Sequence, residues 1–134
     1  MTIYQNDFLI EYIEHIAYEM TGLIVSYIRL VNIGKYGEYH PLGIQGEKND
    51  CLDLMTLHFR NLYEFFCFPS KKGYVRAVDY CSQFQAKTND WFNQKANNQV
   101  SHLTVKRHEL AKDFSTKSWN SNEVMKWLII NLQD

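Results

Sequence analysis

The chain contains few residues of the kinds that interrupt a helical protein or cross-link it. Its 134 residues include only two prolines and six glycines, and four of those glycines fall between Gly34 and Gly46. Because proline and glycine are the main helix breakers, long helices can form through most of the rest. The three cysteines cannot all pair internally, and each lies in an apolar helical pattern that is typical of a buried thiol. We therefore expect a cytoplasmic protein without a disulfide framework.

Long apolar runs and a strong net charge are also missing. No stretch approaches the roughly 20 continuous apolar residues that span a bilayer, and the acidic, amphipathic N-terminus does not resemble a secretory signal. The net charge of −1 provides no general attraction to nucleic acid, so RNA binding would need a local basic patch. Hydrophobic residues make up 46% of the chain, too many for a disordered protein. These features predict one soluble domain that spans residues 1–134.

Apolar residues recur at spacings of three and four along most of the chain, with no competing strand pattern. The predicted helices run from Phe8 to Val31, from about Asp50 to Pro69, from Val75 to Phe84, from Asp90 to about Lys112 and from about Ser121 to Leu132. The glycine-rich segment 32–50 is predicted to be a loop. We therefore predict an all-α fold, an antiparallel up-and-down bundle of four main helices plus one short helix. Its predicted core comprises Leu9, Ile13, Ile16, Met20, Leu52, Met55, Phe59, Leu62, Phe66, Leu103 and Trp127.

Motifs for metal and phosphate chemistry are missing from the sequence. There is no glycine-rich phosphate loop between a strand and a helix, and no Cys-x-x-Cys or His-x-x-x-His pair. Glu11, His15 and Glu19 share one face of the first helix, but the Glu-x-x-His pairs of a bundle metal site are absent from the other helices. We interpret them as a solvated acidic face and expect neither a metal nor another cofactor.

The segment "ANNQVSHLTVKR" gathers polar groups on one strip of the fourth predicted helix. At about 100° per residue, Lys95, Asn98, His102 and Lys106 fall together, while Leu103 points toward the predicted core. Nearby lysines favour neutral imidazole at His102, which could then exchange a proton near neutral pH. The alternative is an ordinary solvated helix face.

A second polar group lies on the second predicted helix, in "LHFRNLYEFF". Arg60 and Glu64 are four residues apart and can form an ion pair, while Asn61 shares a face with apolar residues and with His58. An unsatisfied buried amide or guanidinium costs roughly 1 to 3 kcal/mol, so these groups need partners. We expect Arg60 and Asn61 either to bond to another helix or to line a cleft.

These segments carry a resemblance. "FRNLYEFF", "VRAVDY" and "VSHLTVKR", in this order, resemble an uncharacterised group of small bacterial helical proteins with Arg-Asn-Leu-x-x-Phe-Phe and His-Leu-Thr-x-x-Arg motifs. More distantly, the polar run before His102 is similar to the HEPN superfamily. That resemblance implies a four-helix bundle, frequently dimeric, and often a metal-independent RNase of toxin or defence systems. The HEPN signature places Arg four to six residues before His, whereas the nearest cation here is Lys95.

Two functional hypotheses follow, and a bundle without a site is a third. The first is a HEPN-like protein that acts by binding or self-association without catalysis, with Arg60, Asn61, Asn98 and Thr104 as binding residues. The second is an RNase in which His102 acts as general acid or base, with Lys95 and Arg107 stabilising charge on the phosphate. Lysine lacks the planar guanidinium that binds a phosphate through two hydrogen bonds, and this favours the first hypothesis.

The expected partner is a second copy of the chain, with RNA or another protein as alternatives and no membrane. Aromatic residues in predicted loops, among them Tyr36, Tyr39 and Trp119, suggest apolar surface beyond what one core can bury. We therefore expect a homodimer.

Overall fold

The computed structural model describes residues 4–35, 41, 43–88 and 121–133. Within them the chain is all-helical and forms no β-strand. The helices are α1 (Asn6–Val31), α2 (Gly43–Cys67), the one-turn α3 (Ala77–Tyr80) and α4 (Ser121–Leu132). α1 and α2 pack antiparallel along their length, and α4 packs beside them. No described helix is both long enough and apolar enough to cross a membrane.

The core lies where the C-terminal half of α2 meets α1 and α4. Phe59 is fully buried, and its ring meets the Trp127 ring edge to face at 5.0 Å between centroids. Tyr63 stacks on the same indole at 5.6 Å. Aromatic pairs of this geometry add to the free energy gained by burial alone. The buried cluster comprises Leu23, Met55, Phe59, Leu62, Phe66, Ala77, Val124, Trp127 and Leu128.

A network around the backbone of Lys87 attaches the segment after α3 to α4. The Trp127 indole N–H donates to the Lys87 carbonyl at 2.6 Å. The Asn131 side chain accepts from the Lys87 N–H at 2.8 Å and donates to the same carbonyl at 3.3 Å. In a β-sheet the N–H and C=O of Lys87 would bond to a neighbouring strand. Here side chains of α4 satisfy both groups instead.

The predicted core is confirmed at six positions, where Leu9, Met55, Phe59, Leu62, Phe66 and Trp127 are buried. Ile16, Met20 and Leu52 are only partly buried, and Leu103 lies outside the described residues. The prediction for Ile13 is wrong, because its side chain is 50% exposed. Ile13 belongs to a second apolar face of α1, directed away from α2.

Two predicted boundaries are also wrong. α2 begins at Gly43, inside the segment predicted to be a loop. Gly43 has a φ of +68°, which glycine adopts without strain, and Gly46 is buried within the helix, so these glycines start and pack a helix rather than break one. The helix predicted from Val75 to Phe84 is only the single turn of α3. The helix predicted from Asp90 to Lys112 lies outside the described residues, whereas the last helix is confirmed as α4.

Candidate functional site

A histidine and a carboxylate meet between α1 and α2. His58 Nδ1 lies 2.7 Å from Glu19 Oε2, and the His58 side chain is 9% exposed. The other edge of the ring packs on α1 at Gly22, where an added Cβ would lie only 2.3 Å from His58 Nε2. A general base must reach the proton that it abstracts, and this ring is enclosed by backbone instead. The pair therefore fastens α1 to α2.

Two arginines share one carboxylate in the last two turns of α2. Glu64 Oε1 lies 3.4 Å from Arg60 Nε, which confirms that this pair can form, and Glu64 Oε2 lies 3.9 Å from Arg76 Nη1. The Arg76 guanidinium is buried, and its carbon lies 4.9 Å from the centre of the Tyr74 ring. Nε of each arginine is buried and makes no hydrogen bond within the part of the chain that the structure describes, so the Arg60 contact with Glu64 is an ion pair only. Glu64 therefore pairs with one arginine on α2 and with one in the loop before α3, and it links these two segments.

The same loop is fixed by a buried acid. The Asp79 side chain is 2% exposed; it accepts a hydrogen bond from Ser70 Oγ at 2.7 Å and one from the Arg76 backbone N–H at 2.8 Å. The Tyr80 hydroxyl donates to the Leu9 carbonyl at 2.7 Å, and burial raises the pKa of this phenol. Residues 70–80 are therefore held against both long helices.

An open cleft of about 450 Å³ lies between α1, α2 and this loop. Its lining includes Asn61, which is exposed, and the two carboxylates Glu19 and Glu64. Each carboxylate is already engaged, by His58 in one case and by arginines in the other. The carboxylates of the cleft therefore connect the packed segments around it, and neither of them is left over to bind a ligand.

A further feature is a strip of aliphatic side chains on the outside of α1, which we call the α1 stripe. Five of its six side chains are large and between 39% and 64% exposed. At about 100° per residue the six positions lie within roughly 60° of arc, about a third of a turn away from the face that packs on α2. The α1 stripe consists of Ile10, Ile13, Ala17, Ile24, Ile28 and Val31.

The predicted site residues are distributed unevenly. Arg60 and Asn61 lie on α2, with Asn61 on the cleft wall and Arg60 paired to Glu64. Lys95, Asn98, His102, Thr104 and Arg107 lie outside the described residues. The structure describes no group of three or more His, Cys, Asp or Glu side chains that could hold a metal ion. Of the face formed by Glu11, His15 and Glu19, only Glu19 turns inward, to His58.

Sequence reasoning missed both Arg76 and the α1 stripe. Arg76 lies inside "VRAVDY", where a basic residue between apolar ones indicates a buried guanidinium. The signal for the α1 stripe was the excess of isoleucine and valine on α1, which is more than one face can bury.

The described residues form an all-helical fold with an exposed apolar face on α1. Comparison with family models, with curated proteins and with solved structures finds no match.

Proposed function

We propose that this protein acts by binding rather than by catalysis, and that it self-associates through the α1 stripe as a homodimer. The observation that carries the proposal is the exposure of the α1 stripe, which extends over about 32 Å from Ile10 to Val31. Contiguous apolar patches rimmed by polar residues mark interaction surfaces. Closed two-fold dimers are the commonest assemblies among soluble proteins.

The energetics support an association of this kind. Removing apolar surface from water gains about 25 cal/mol per Å², and five half-exposed aliphatic side chains from each copy can be covered at once. None of the six stripe residues carries a charge, so their burial leaves no ion without a partner. By contrast, the charged groups of the cleft already have partners within the chain.

The other functional predictions are unchanged. A binding role for Arg60 and Asn61 stays a prediction, as does the RNase alternative with His102, Lys95 and Arg107. RNA or a different protein are the competing partners. The structure offers the α1 stripe as support for self-association, and the described residues carry no comparable support for catalysis.

The proposal is tested by the concentration dependence of thermal unfolding. A dimer that dissociates on unfolding has a midpoint temperature that rises with protein concentration. We expect this rise for the wild type and its loss in Ile28→Glu, which places a charge within the α1 stripe. The matched control is Ile129→Glu on α4, because Ile129 is 51% exposed and Ile28 is 50% exposed. A wild-type midpoint that does not change with concentration contradicts the proposal, as does an equal loss in both variants.

A further inference from the structure

The α1 stripe has the same spacing when it is followed from either end. Its positions are 10, 13, 17, 24, 28 and 31, so the intervals are three, four, seven, four and three residues. The midpoint falls between Met20 and Thr21. Positions on one narrow face of any helix recur at such intervals, so the symmetry permits the stripe to pair with itself and defines the register of that pairing.

An antiparallel pairing of two α1 helices about that midpoint brings the stripe into register with itself. Residue numbers that face each other then sum to 41, so Ile10 faces Val31, Ile13 faces Ile28 and Ala17 faces Ile24 of the second copy. The smallest side chain of the stripe is thus opposite a large one, which allows close packing near the centre. In a parallel pairing each residue faces itself, and the two alanines leave a gap.

The charges of α1 favour the same orientation. Asp7, Glu11 and Glu14 are exposed in the N-terminal half, whereas Arg29 is the basic residue of the last turn. In the antiparallel register Arg29 comes level with position 12 of the second copy, between Glu11 and Glu14. A parallel register instead sets the three acids beside one another, and like charges close together are destabilising.

We infer that the partner of the α1 stripe is a second copy of this chain, bound antiparallel about a two-fold axis near Met20 and Thr21. The inference rests on the proposed self-association and adds its orientation and register. Both copies contribute the same six residues, and Thr21, small and exposed, lies beside the axis.

Cysteine cross-linking tests the register. The background is Cys81→Ser, which removes the exposed thiol. Cys51 is buried, and burial raises the pKa of Cys67 to about 11, so these two thiols react slowly. Ala17→Cys and Ile24→Cys chains, one of them tagged to shift its gel mobility, are mixed, allowed to exchange and oxidised with diamide. Circular dichroism of each variant checks that its helices are retained.

We expect a mixed disulfide between the two variants and little cross-linking of either one alone. In the antiparallel register residue 17 of one copy lies about 10 Å along the axis from residue 17 of the other, beyond the roughly 7 Å between Cα atoms that a disulfide spans. Efficient self-linking of both single variants would show a parallel pairing and overturn the inference. A dimeric mass without any of these cross-links would overturn the register but leave the proposed self-association standing, whereas a monomeric mass would remove both.

Discussion

At the scale of single residues, the contact between α1 and α2 depends on Gly22, which has no side chain. His58 crosses to Glu19 only because Gly22 leaves room for the imidazole, and Ser26 Oγ donates to the Gly22 carbonyl at 2.7 Å from the next turn. Glycine inside a helix normally costs about 0.5 to 1 kcal/mol relative to alanine. Close helix packing and the buried imidazole account for its presence here.

Gly22→Ala is therefore expected to destabilise the protein by about 1 to 3 kcal/mol, even though alanine has a higher helix propensity than glycine. The physical reason is the 2.3 Å approach of the new Cβ to the His58 ring. Urea unfolding followed by circular dichroism measures the difference. In a His58→Ala background the obstacle is gone, and the same Gly22→Ala change should become neutral or stabilising. A destabilisation that persists in that background would show that the imidazole is not its cause.

At the scale of elements, the spacing of apolar residues was enough to predict α1, the later part of α2 and α4. The prediction was wrong where the same sequence pattern fits two different structures. The glycines between Gly34 and Gly46 predict a loop, although Gly43 and Gly46 lie in α2. Spacing alone places Ile13 in the core, because it cannot tell which of two apolar faces of α1 is covered. Arg60 was identified from its spacing to Glu64, but the approach of Arg76 depends on a loop path that the sequence does not show.

The contact between α4 and the segment 81–88 yields a second prediction. Asn131→Ala removes an acceptor from the Lys87 N–H and donors from two carbonyl groups. Because these groups are partly buried, we expect a loss of about 1 to 3 kcal/mol in the free energy of unfolding. Hydrogen exchange at the Lys87 amide should also accelerate. Ile129→Ala, an exposed change on the same helix, serves as the control and should alter both measurements little.

At the scale of the whole molecule, the two functional hypotheses differ in whether the isolated protein turns over RNA. Under the RNase hypothesis Lys95 would have to replace the HEPN signature arginine, and a point charge binds a phosphate less well than a guanidinium. We expect no metal-free cleavage of single-stranded RNA by the purified wild type. Incubation of labelled RNA in EDTA, with His102→Ala as the matched control, measures this. Cleavage by the wild type that His102→Ala abolishes would establish the RNase instead.

The central claim is that the α1 stripe joins two copies of the chain, and the mass of the particle in solution tests it most directly. Light scattering during gel filtration at tens of micromolar should give the wild type twice the chain mass of 15.9 kDa. Ile13→Glu, which places a charge inside the stripe, should return the mass of a single chain while keeping its helical circular dichroism. A wild type that elutes with the mass of one chain at that concentration would contradict the account.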